Sequence, residues 1–360
     1  MLVLLVVIIF SIYKLLGFRE SKGNDILVVG ASLPFTGPTA QYGEYFKKGM
    51  DSVVGGNKKI KIIYEDSKGD AAGGVAAFQK LTTVDGVDIL VSAISKATVP
   101  IIPLAQQSKT PIIISFVAAM NATSKNNDYA YRIFWTAEQF ADFFVERIVD
   151  QKITHVALLQ AKNEGAQSTA DLIVPKLNSA GIKVTIETFQ DTDTDFRTQL
   201  AKVKQANPQV IGIIAIPTSQ WKGIMVQAKE AGINLPIYDV LGVLLNPGTP
   251  EALAGLAEKV YTMTTPFNTG EYATEFKNDY IKRNNREPAG FESFAIDIGL
   301  MLKNLADNNI TTKEEVTKYL KSLNSFEGIT SAYTVDDSHN FMPLPIRAQF
   351  INGKISKSEK

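Results

Sequence analysis

The residues of this chain whose types and spacing could support chemistry are few. Three carboxylates alternate with threonines at Asp191, Asp193 and Asp195, but the glycine and the distal glutamate of an EF-hand calcium loop are missing. Asp195 is better interpreted as the N-cap of a helix. The histidines, His155 and His339, lie far apart without metal-ligand spacing around them, so each is predicted to be structural. We predict no metal site and no cofactor.

Catalytic motifs are equally scarce. The sequence contains no HExxH, GxSxG, GxxxxGK[ST] or GxGxxG pattern. It also contains no cysteine, which excludes a thiolate nucleophile, a disulfide and a Cys-ligated zinc. An enzyme that uses a serine or an acid–base pair stays as an alternative, because proximity in the fold is not visible in the sequence. Non-catalytic binding is the leading hypothesis.

The bulk composition indicates a soluble globular protein with two domains. The chain has 360 residues, longer than a single hydrophobic core usually serves, and 45% of them are hydrophobic. Its 37 basic residues balance 37 acidic ones, so no positive field is available for nucleic acid. We therefore expect no nucleic-acid partner.

The first eighteen residues, MLVLLVVIIFSIYKLLGF, are apolar except for Ser11 and Lys14. Their length lies between that of a signal-peptide core and that of a spanning helix. No basic region precedes them and no small-x-small cleavage site follows them. Residues 1–18 are therefore predicted to be an uncleaved membrane anchor or a signal with an unusual start, and the remaining chain is predicted to be extracytoplasmic.

From Ile26 onward, short runs rich in Ile and Val alternate with longer helical stretches, which is typical of βαβ units and parallel sheets. One series of strands begins at Ile26 and a similar one at Thr154, which indicates two α/β halves in tandem. Long helices are predicted later, at about Gly270–Asn284, Phe291–Asn308 and Thr312–Leu323. They have no sheet of their own, so we expect them to pack back on the first lobe. A final extended hairpin is predicted over Ile329–Ile355.

Ligands of open α/β sheets bind beyond the carboxyl ends of the strands. Two lobes that face each other would share one such cleft. In the first loop, Gly37 and Gly43 allow a close approach to the backbone, and Tyr42 would add an amphipathic wall. The predicted contact loops are Ser32–Gly43, Ser92–Pro100, Ser115–Asn121, Gln160–Gly165, Ile216–Trp221 and Asp239–Asn246.

Several segments together resemble the type I periplasmic binding proteins of the leucine/isoleucine/valine-binding group, which serve ABC importers. The resemblance runs from about Ile26 to the C-terminus. It rests on LPFTGPTAQYG, IIYEDSKGD, VDILVSAISKATVPIIPLAQQSKTPIIIS, YRIFW, GFESFAIDIGLML, FEGITSAYTVDD and INGKI.

This resemblance implies two Rossmann-like lobes joined by a three-stranded hinge, with a cleft that closes around its ligand. The implied lobes are 26–136 with 268–334, and 137–267 with 335–360. The implied partners are a small-molecule solute and the membrane permease of an ABC importer.

Site residues also follow from the resemblance. Tyr42 matches an aromatic wall of the cleft, and Ser95 matches a serine whose hydroxyl meets the ligand carboxylate. Ala118 matches a position whose backbone binds the ligand's α-amino and carboxyl ends. Ala119 stands where the family usually has a hydroxyl residue, so one contact is expected to be lost.

In the second lobe, Glu164 and Thr218 stand near two family tyrosines, and Leu241 stands near the acid that pairs with an amino acid's ammonium group. An ammonium group held in a closed cleft needs a carboxylate partner. A standard α-amino acid is therefore not the default ligand, although Glu164 could supply the acid from another side.

Four further residues lie in or near the predicted loops. Phe116, Trp135 and Trp221 could stack on a flat or aliphatic solute, or pack in the hinge and core instead. Lys96 could pair with an anion or remain a solvated surface lysine.

The leading hypothesis is thus a binding protein that delivers an amino acid, an amide or an apolar carboxylate to a permease. The alternative is a membrane-tethered sensory receptor with the same fold.

Overall fold

The computed structural model describes residues 26–246, 248–256, 260–265, 268–288, 290–351 and 354–358. The predicted membrane element at 1–18 lies outside these residues. Among the residues described, no helix is both long and apolar enough to cross a bilayer.

The strands fall into two separate sheets. In chain order they are β1 Leu27–Leu33, β2 Ile60–Asp66, β3 Ile89–Ala93, β4 Ile112–Ser115, β5 Ala130–Ile133, β6 His155–Ala161, β7 Lys183–Phe189, β8 Val210–Ile214, β9 Ile237–Asp239, β10 Val260–Thr264, β11 Ser325–Glu327, β12 Ala332–Val335, β13 Asn340–Pro343, β14 Ile346–Ile351 and β15 Lys354–Lys357.

The helices occupy most of the connections. They are α1 Ala40–Val54, α2 Ala71–Gln79, α3 Ser95–Thr98, α4 Ile102–Gln107, α5 Ala137–Asp150, α6 Glu164–Ser179, α7 Arg197–Ala206, α8 Thr218–Glu230, α9 Thr249–Ala252, α10 Glu271–Asn284, α11 Phe291–Asp307 and α12 Lys313–Ser322.

Both sheets repeat the same doubly wound order. The first runs β11-β12-β13-β5-β4-β3-β1-β2, and the second runs β15-β14-β10-β9-β8-β6-β7. The strands from β1 to β5, and those from β6 to β10, pair in parallel. The strand order therefore reverses between β1 and β3 in one sheet and between β6 and β8 in the other. These two switch points are where ligand-binding loops are expected.

The late helices pack on the first lobe, as predicted. A side chain at Gly49 of α1 would approach the Glu292 carbonyl oxygen of α11 to 2.7 Å, and one at Gly299 would approach Val53 Cβ to 3.0 Å. The two helices can lie this close because glycines stand at their contact.

The single hairpin predicted over Ile329–Ile355 is instead two antiparallel hairpins, β12 with β13 and β14 with β15, in different sheets. In addition, β13 pairs with β5 of the first sheet, and β14 pairs with β10 of the second. Periodicity shows that a segment is extended but not which edge it joins. The boundary between the lobes was predicted at 334/335. In the structure it lies later, between β13 and β14, because β13 still belongs to the first sheet.

No helix was predicted for the segment that forms α5. Thr136 caps this helix in a capping box with Gln139, with Thr136 Oγ1 accepting from the Gln139 amide. The buried Arg147 of α5 then donates to the carbonyl oxygens of Thr262 and Ala348 in the second sheet, at 3.0 and 3.2 Å. The helix therefore belongs to the second lobe.

The chain passes three times between the sheets: between β5 and α5, between β10 and α10, and between β13 and β14. Three neighbouring crossings of this kind form a hinge, which agrees with the arrangement that the resemblance implied.

Candidate functional site

A small cavity lies between the lobes at the two switch points. The space that the centre of a water molecule can occupy in it is only about 20 Å³. Its lining is almost entirely apolar and comes from both lobes: Ser95, Phe116, Ala118, Phe134, Phe140, Gly165, Ile216 and Leu241. A solute of several heavy atoms therefore enters only when the lobes move apart at the hinge.

The cavity wall from the first lobe follows β3 and β4. Ile94, directly after β3, has φ 72°, and Phe116, directly after β4, has φ 58°. Positive φ is strained for a β-branched or bulky residue and is held only where the surroundings fix it. Both residues are buried, and the Phe116 ring packs against Phe134 at 5.6 Å between centroids. With the backbone in this conformation at Ile94 and Phe116, the residues that follow, Ser95 and Ala118, line the cavity.

The second lobe faces Ser95 with a glycine. A Cβ built at Gly165, in the first turn of α6, would lie 3.0 Å from Ser95 Oγ. The N-cap of this helix is Asn163, whose side chain accepts from the Ala166 amide. Gly165 therefore lets the first turn of the helix approach the Ser95 hydroxyl closely, because it carries no side chain.

Three hydrogen bonds join the lobes around the cavity. Tyr42 Oη donates to the Ile216 carbonyl oxygen at 2.5 Å, and Gln41 Nε2 donates to Thr218 Oγ1 at 3.0 Å. On the other side, Asn121 Nδ2 donates to Glu164 Oε1 at 2.9 Å. Burial raises the pKa of Tyr42 well above its usual range, so its hydroxyl remains a neutral donor.

The structure thus separates the predicted site residues into groups. Ser95, Phe116, Ala118 and Leu241 line the cavity. Tyr42, Glu164 and Thr218 lie instead at contacts between the lobes. The exposed Glu164 carboxylate does not line the cavity, so the idea that it replaces the lost acid is not supported.

The remaining predicted residues lie elsewhere. Trp221 is fully buried in the second lobe, where its Nε1 donates to the Ala215 carbonyl oxygen at 2.9 Å. Ala119 packs in a second core cluster behind β4, and the Lys96 side chain is exposed. Trp135 packs on Phe140, with 5.7 Å between ring centroids, but does not line the cavity.

Trp135 borders a different pocket instead. This open pocket of about 900 Å³ lies beside the hinge, and Phe294 and Arg286 also line it. It is far larger than the cavity at the switch points. We nevertheless take the small cavity as the site, because it lies where the strands of both sheets end.

Four lining residues were not singled out from the sequence: Phe134, Phe140, Gly165 and Ile216. Gly165 and Ile216 belong to predicted contact loops, so the sequence already indicated that they lie near the cleft. Phe140 belongs to α5, which was missed, and its capping box at Thr136 was the signal that could have revealed it.

The carboxylates of the DTDTD run do not converge on a cation site. Asp191 accepts from Asn163 Nδ2, and Asp193 accepts from the Gln190 amide. The N-cap of α7 is Phe196 rather than Asp195, because the helix begins later than predicted; the Asp195 carboxylate accepts from the Arg197 amide instead. No group of three or more potential ligands for a metal occurs within the described ranges.

Both histidines make local hydrogen bonds. His155 Nε2 and Thr185 Oγ1 lie 3.0 Å apart on neighbouring strands, and His339 Nδ1 lies 3.2 Å from the Asn127 carbonyl oxygen. Burial lowers the pKa of His155. These contacts fit the predicted structural roles.

The Periplasmic binding protein family matches residues 27–354 of the chain. The chain belongs to this family. It is a family of extracytoplasmic solute-binding proteins, which are not enzymes.

A curated relative with nearly full coverage is the leucine-, isoleucine-, valine-, threonine- and alanine-binding protein of Pseudomonas aeruginosa. It is 25% identical over 356 residues, which cover 91% of each chain. The chain spans only 56% to 57% of the length of other relatives, the Leu/Ile/Val-binding protein homologues of Brucella.

Solved structures share the two-lobed fold. A solute-binding protein of an ABC transporter from R. palustris, in complex with benzoate, matches with a TM-score of 0.83 and 16% identity, covering 92% of this chain and 95% of the other. LivJ from Streptococcus pneumoniae, in complex with isoleucine, matches with a TM-score of 0.80 and 22% identity, covering 92% and 97%. Both confirm the type I periplasmic binding protein fold.

Proposed function

We propose that the chain captures a small apolar solute in the cavity between its lobes and delivers it to the permease of an ABC importer. The observation that carries this proposal is the cavity itself, which is apolar, lined by both lobes and close to both switch points. Candidate solutes are amino acids, amides and apolar carboxylates.

The arrangement favours capture by closure of the hinge. Ser95 and Phe116 come from one lobe, and Gly165 and Leu241 come from the other, so a solute between them contacts both. Such a solute stabilises the closed form by its extra contacts, and the hydrogen bond from Tyr42 to Ile216 adds to them. Release then requires the lobes to separate.

A thermal-shift panel of amino acids, amides and short or aromatic carboxylates tests this proposal. A ligand that binds only the folded state raises the midpoint of thermal unfolding, by an amount set by the ratio of its concentration to its Kd. We expect at least one member of the panel to raise it reproducibly. A broad panel without any stabilising member would contradict solute capture.

The transport partner is tested separately. We expect the protein saturated with its solute to stimulate ATP hydrolysis by the reconstituted importer, and the Gly165→Leu variant, whose side chain would fill the cavity, to give no stimulation. Binding of solute without stimulation by the importer would favour the alternative of a sensory receptor.

A further inference from the structure

The cavity wall is backed by a buried cation. Arg132 of β5 is 1% exposed. Its Nη1 donates to the Ala118 carbonyl oxygen at 3.2 Å, and its Nη2 donates to Ala119 O and Thr123 Oγ1, each at 3.0 Å. Burial lowers the pKa of Arg132 to about 10, and the negative charge of Asp336 opposes this; no carboxylate among the described residues lies within ion-pair distance of the guanidinium. Because Ala118 lines the cavity, the positive charge lies directly behind its wall.

The hydrogen bond from Arg132 also occupies a backbone acceptor, the carbonyl oxygen of Ala118. A carbonyl oxygen has two lone pairs, and that of Ala118 already accepts from the Ala137 amide at 2.9 Å as well as from Arg132. The family resemblance assigns this position to the α-amino and carboxyl ends of an amino acid. Here its carbonyl has no remaining capacity to accept from an ammonium group.

No carboxylate in the cavity wall replaces this acceptor. Leu241 is apolar, and the exposed Glu164 accepts from Asn121 outside the cavity. Asp239 is buried two residues before Leu241; its Oδ2 accepts from the Leu244 amide and Thr262 Oγ1, and its Oδ1 has no hydrogen-bond partner, but the residue does not line the cavity. An ammonium group enclosed here would lose its hydration without an anionic partner.

A donor, in contrast, is available. The Ser95 hydroxyl lines the cavity, and Gly165 of α6 leaves room opposite it. This hydroxyl and the charge of Arg132 favour an anion. An apolar body would fill the space among Phe116, Phe134 and Leu241.

Building on the proposed solute-binding function, we propose that the solute is a small apolar monocarboxylate without an α-ammonium group. In this proposal Arg132 is the positioning residue that makes the cavity prefer such a carboxylate to an α-amino acid. It supplies positive charge behind the cavity wall and occupies the acceptor that an ammonium group would need.

Matched pairs of ligands test the solute class by calorimetric titration. The pairs are 3-methylpentanoate with isoleucine, and 3-phenylpropionate with phenylalanine, which differ only in the ammonium group. We expect the acid of at least one pair to bind about tenfold or more tightly than its amino acid, as one lost charge-assisted contact implies. Equal or tighter binding of the amino acids would overturn the solute class and leave solute capture intact. If neither pair binds while another solute stabilises the protein, the proposed solute class is also overturned, and solute capture stands. If no solute binds at all, both the solute class and solute capture are overturned.

Variants of Arg132 test its positioning role. The quantity compared is the ratio of the affinity for the carboxylic acid to the affinity for the matching amino acid. Arg132→Met removes the charge and frees the Ala118 carbonyl, so the preference for the acid should fall about tenfold. Arg132→Lys keeps a charge and a donor, and it should retain most of the preference. Thr123→Val is a matched control, since it removes an acceptor of Arg132 without changing Ala118. An unchanged ratio in folded Arg132→Met would overturn the role.

A second variant keeps the test decisive if Arg132→Met does not fold. Leu241→Glu places a carboxylate in the cavity wall from the other lobe. It should lower the preference for the acid at least about tenfold, and the uncharged Leu241→Gln should lower it much less. A preference that stays the same in Leu241→Glu would show that charge in this cavity does not select the solute.

Discussion

Tyr42, on the first helix of one lobe, donates a hydrogen bond of 2.5 Å to the carbonyl oxygen of Ile216 in the other lobe. Ile216 also lines the cavity. The bond therefore joins the two lobes directly at the edge of the proposed solute site. It exists only when the lobes are close together, which makes it a determinant of closure rather than of folding.

The first prediction concerns this bond. Tyr42→Phe keeps the ring but removes the hydroxyl, so the closed form should lose about 1 kcal/mol relative to the open form. The affinity for a stabilising carboxylate should fall about fivefold, mainly through faster dissociation, which stopped-flow fluorescence can measure. Tyr319→Phe, on the outer helix α12, is the control and should leave dissociation unchanged. Equal dissociation rates for Tyr42→Phe and the native protein would show that the bond does not hold the lobes closed.

The second prediction concerns the loop that precedes α1. A Cβ at Gly43 would lie 1.8 Å from the Pro34 carbonyl oxygen, so Gly43→Ala must displace the loop or the helix. We expect the free energy of unfolding to fall by about 3 kcal/mol in urea titrations. Gly270→Ala is the control, because its nearest neighbour, Asn268 Oδ1, would be 3.4 Å away. If both variants are equally stable, the close approach at Gly43 does not exist.

Much of the fold was predictable from local patterns. Strands such as β3 and β4 are buried along their whole length, and their unbroken Ile and Val runs reveal this. The strands β13 and β14 were predicted as parts of one hairpin because their partners in the sheets, β5 and β10, are far away in the sequence. Local periodicity carries no information on such long-range pairing.

The site was predictable only in part, for a related reason. Ser95 and Ala118 follow strands, and the rule for carboxyl ends predicts their position in the wall of the cavity. Trp221 also follows a strand, but its ring turns into the core because the Ala215 carbonyl oxygen satisfies its Nε1 nearby. The role of Arg132 could not be foreseen, since it depends on how the loop at Ala118 folds back over β5.

The third prediction concerns the pH dependence of stability. Burial raises the pKa of Asp239 to about 6, above the value of about 3.9 expected in the unfolded chain. The folded state therefore binds this proton more tightly, and the resulting stabilisation is complete below pH 3.9 and is lost as the pH rises through 6. Asp239→Asn does not titrate, and its amide oxygen can keep the hydrogen bonds from the Leu244 amide and Thr262 Oγ1.

Relative to the native protein, Asp239→Asn should therefore gain about 1 kcal/mol of stability between pH 5 and pH 7.5. Urea unfolding at several pH values measures this difference, with the exposed Asp337→Asn as the control. A difference between Asp239→Asn and the native protein that does not change with pH would mean that Asp239 is ionised throughout this range.

The most direct test of solute capture between the lobes is a calorimetric titration of the native protein and of Gly165→Leu with the solute that stabilises the native protein most in the thermal-shift panel. The leucine side chain would enter the cavity opposite Ser95 Oγ, which a Cβ at residue 165 already approaches to 3.0 Å. We predict one solute per native chain and at least about a hundredfold weaker binding to Gly165→Leu, since closure around the solute is blocked. Equal affinity in the two proteins would contradict the account, because the solute would then bind somewhere other than this cavity.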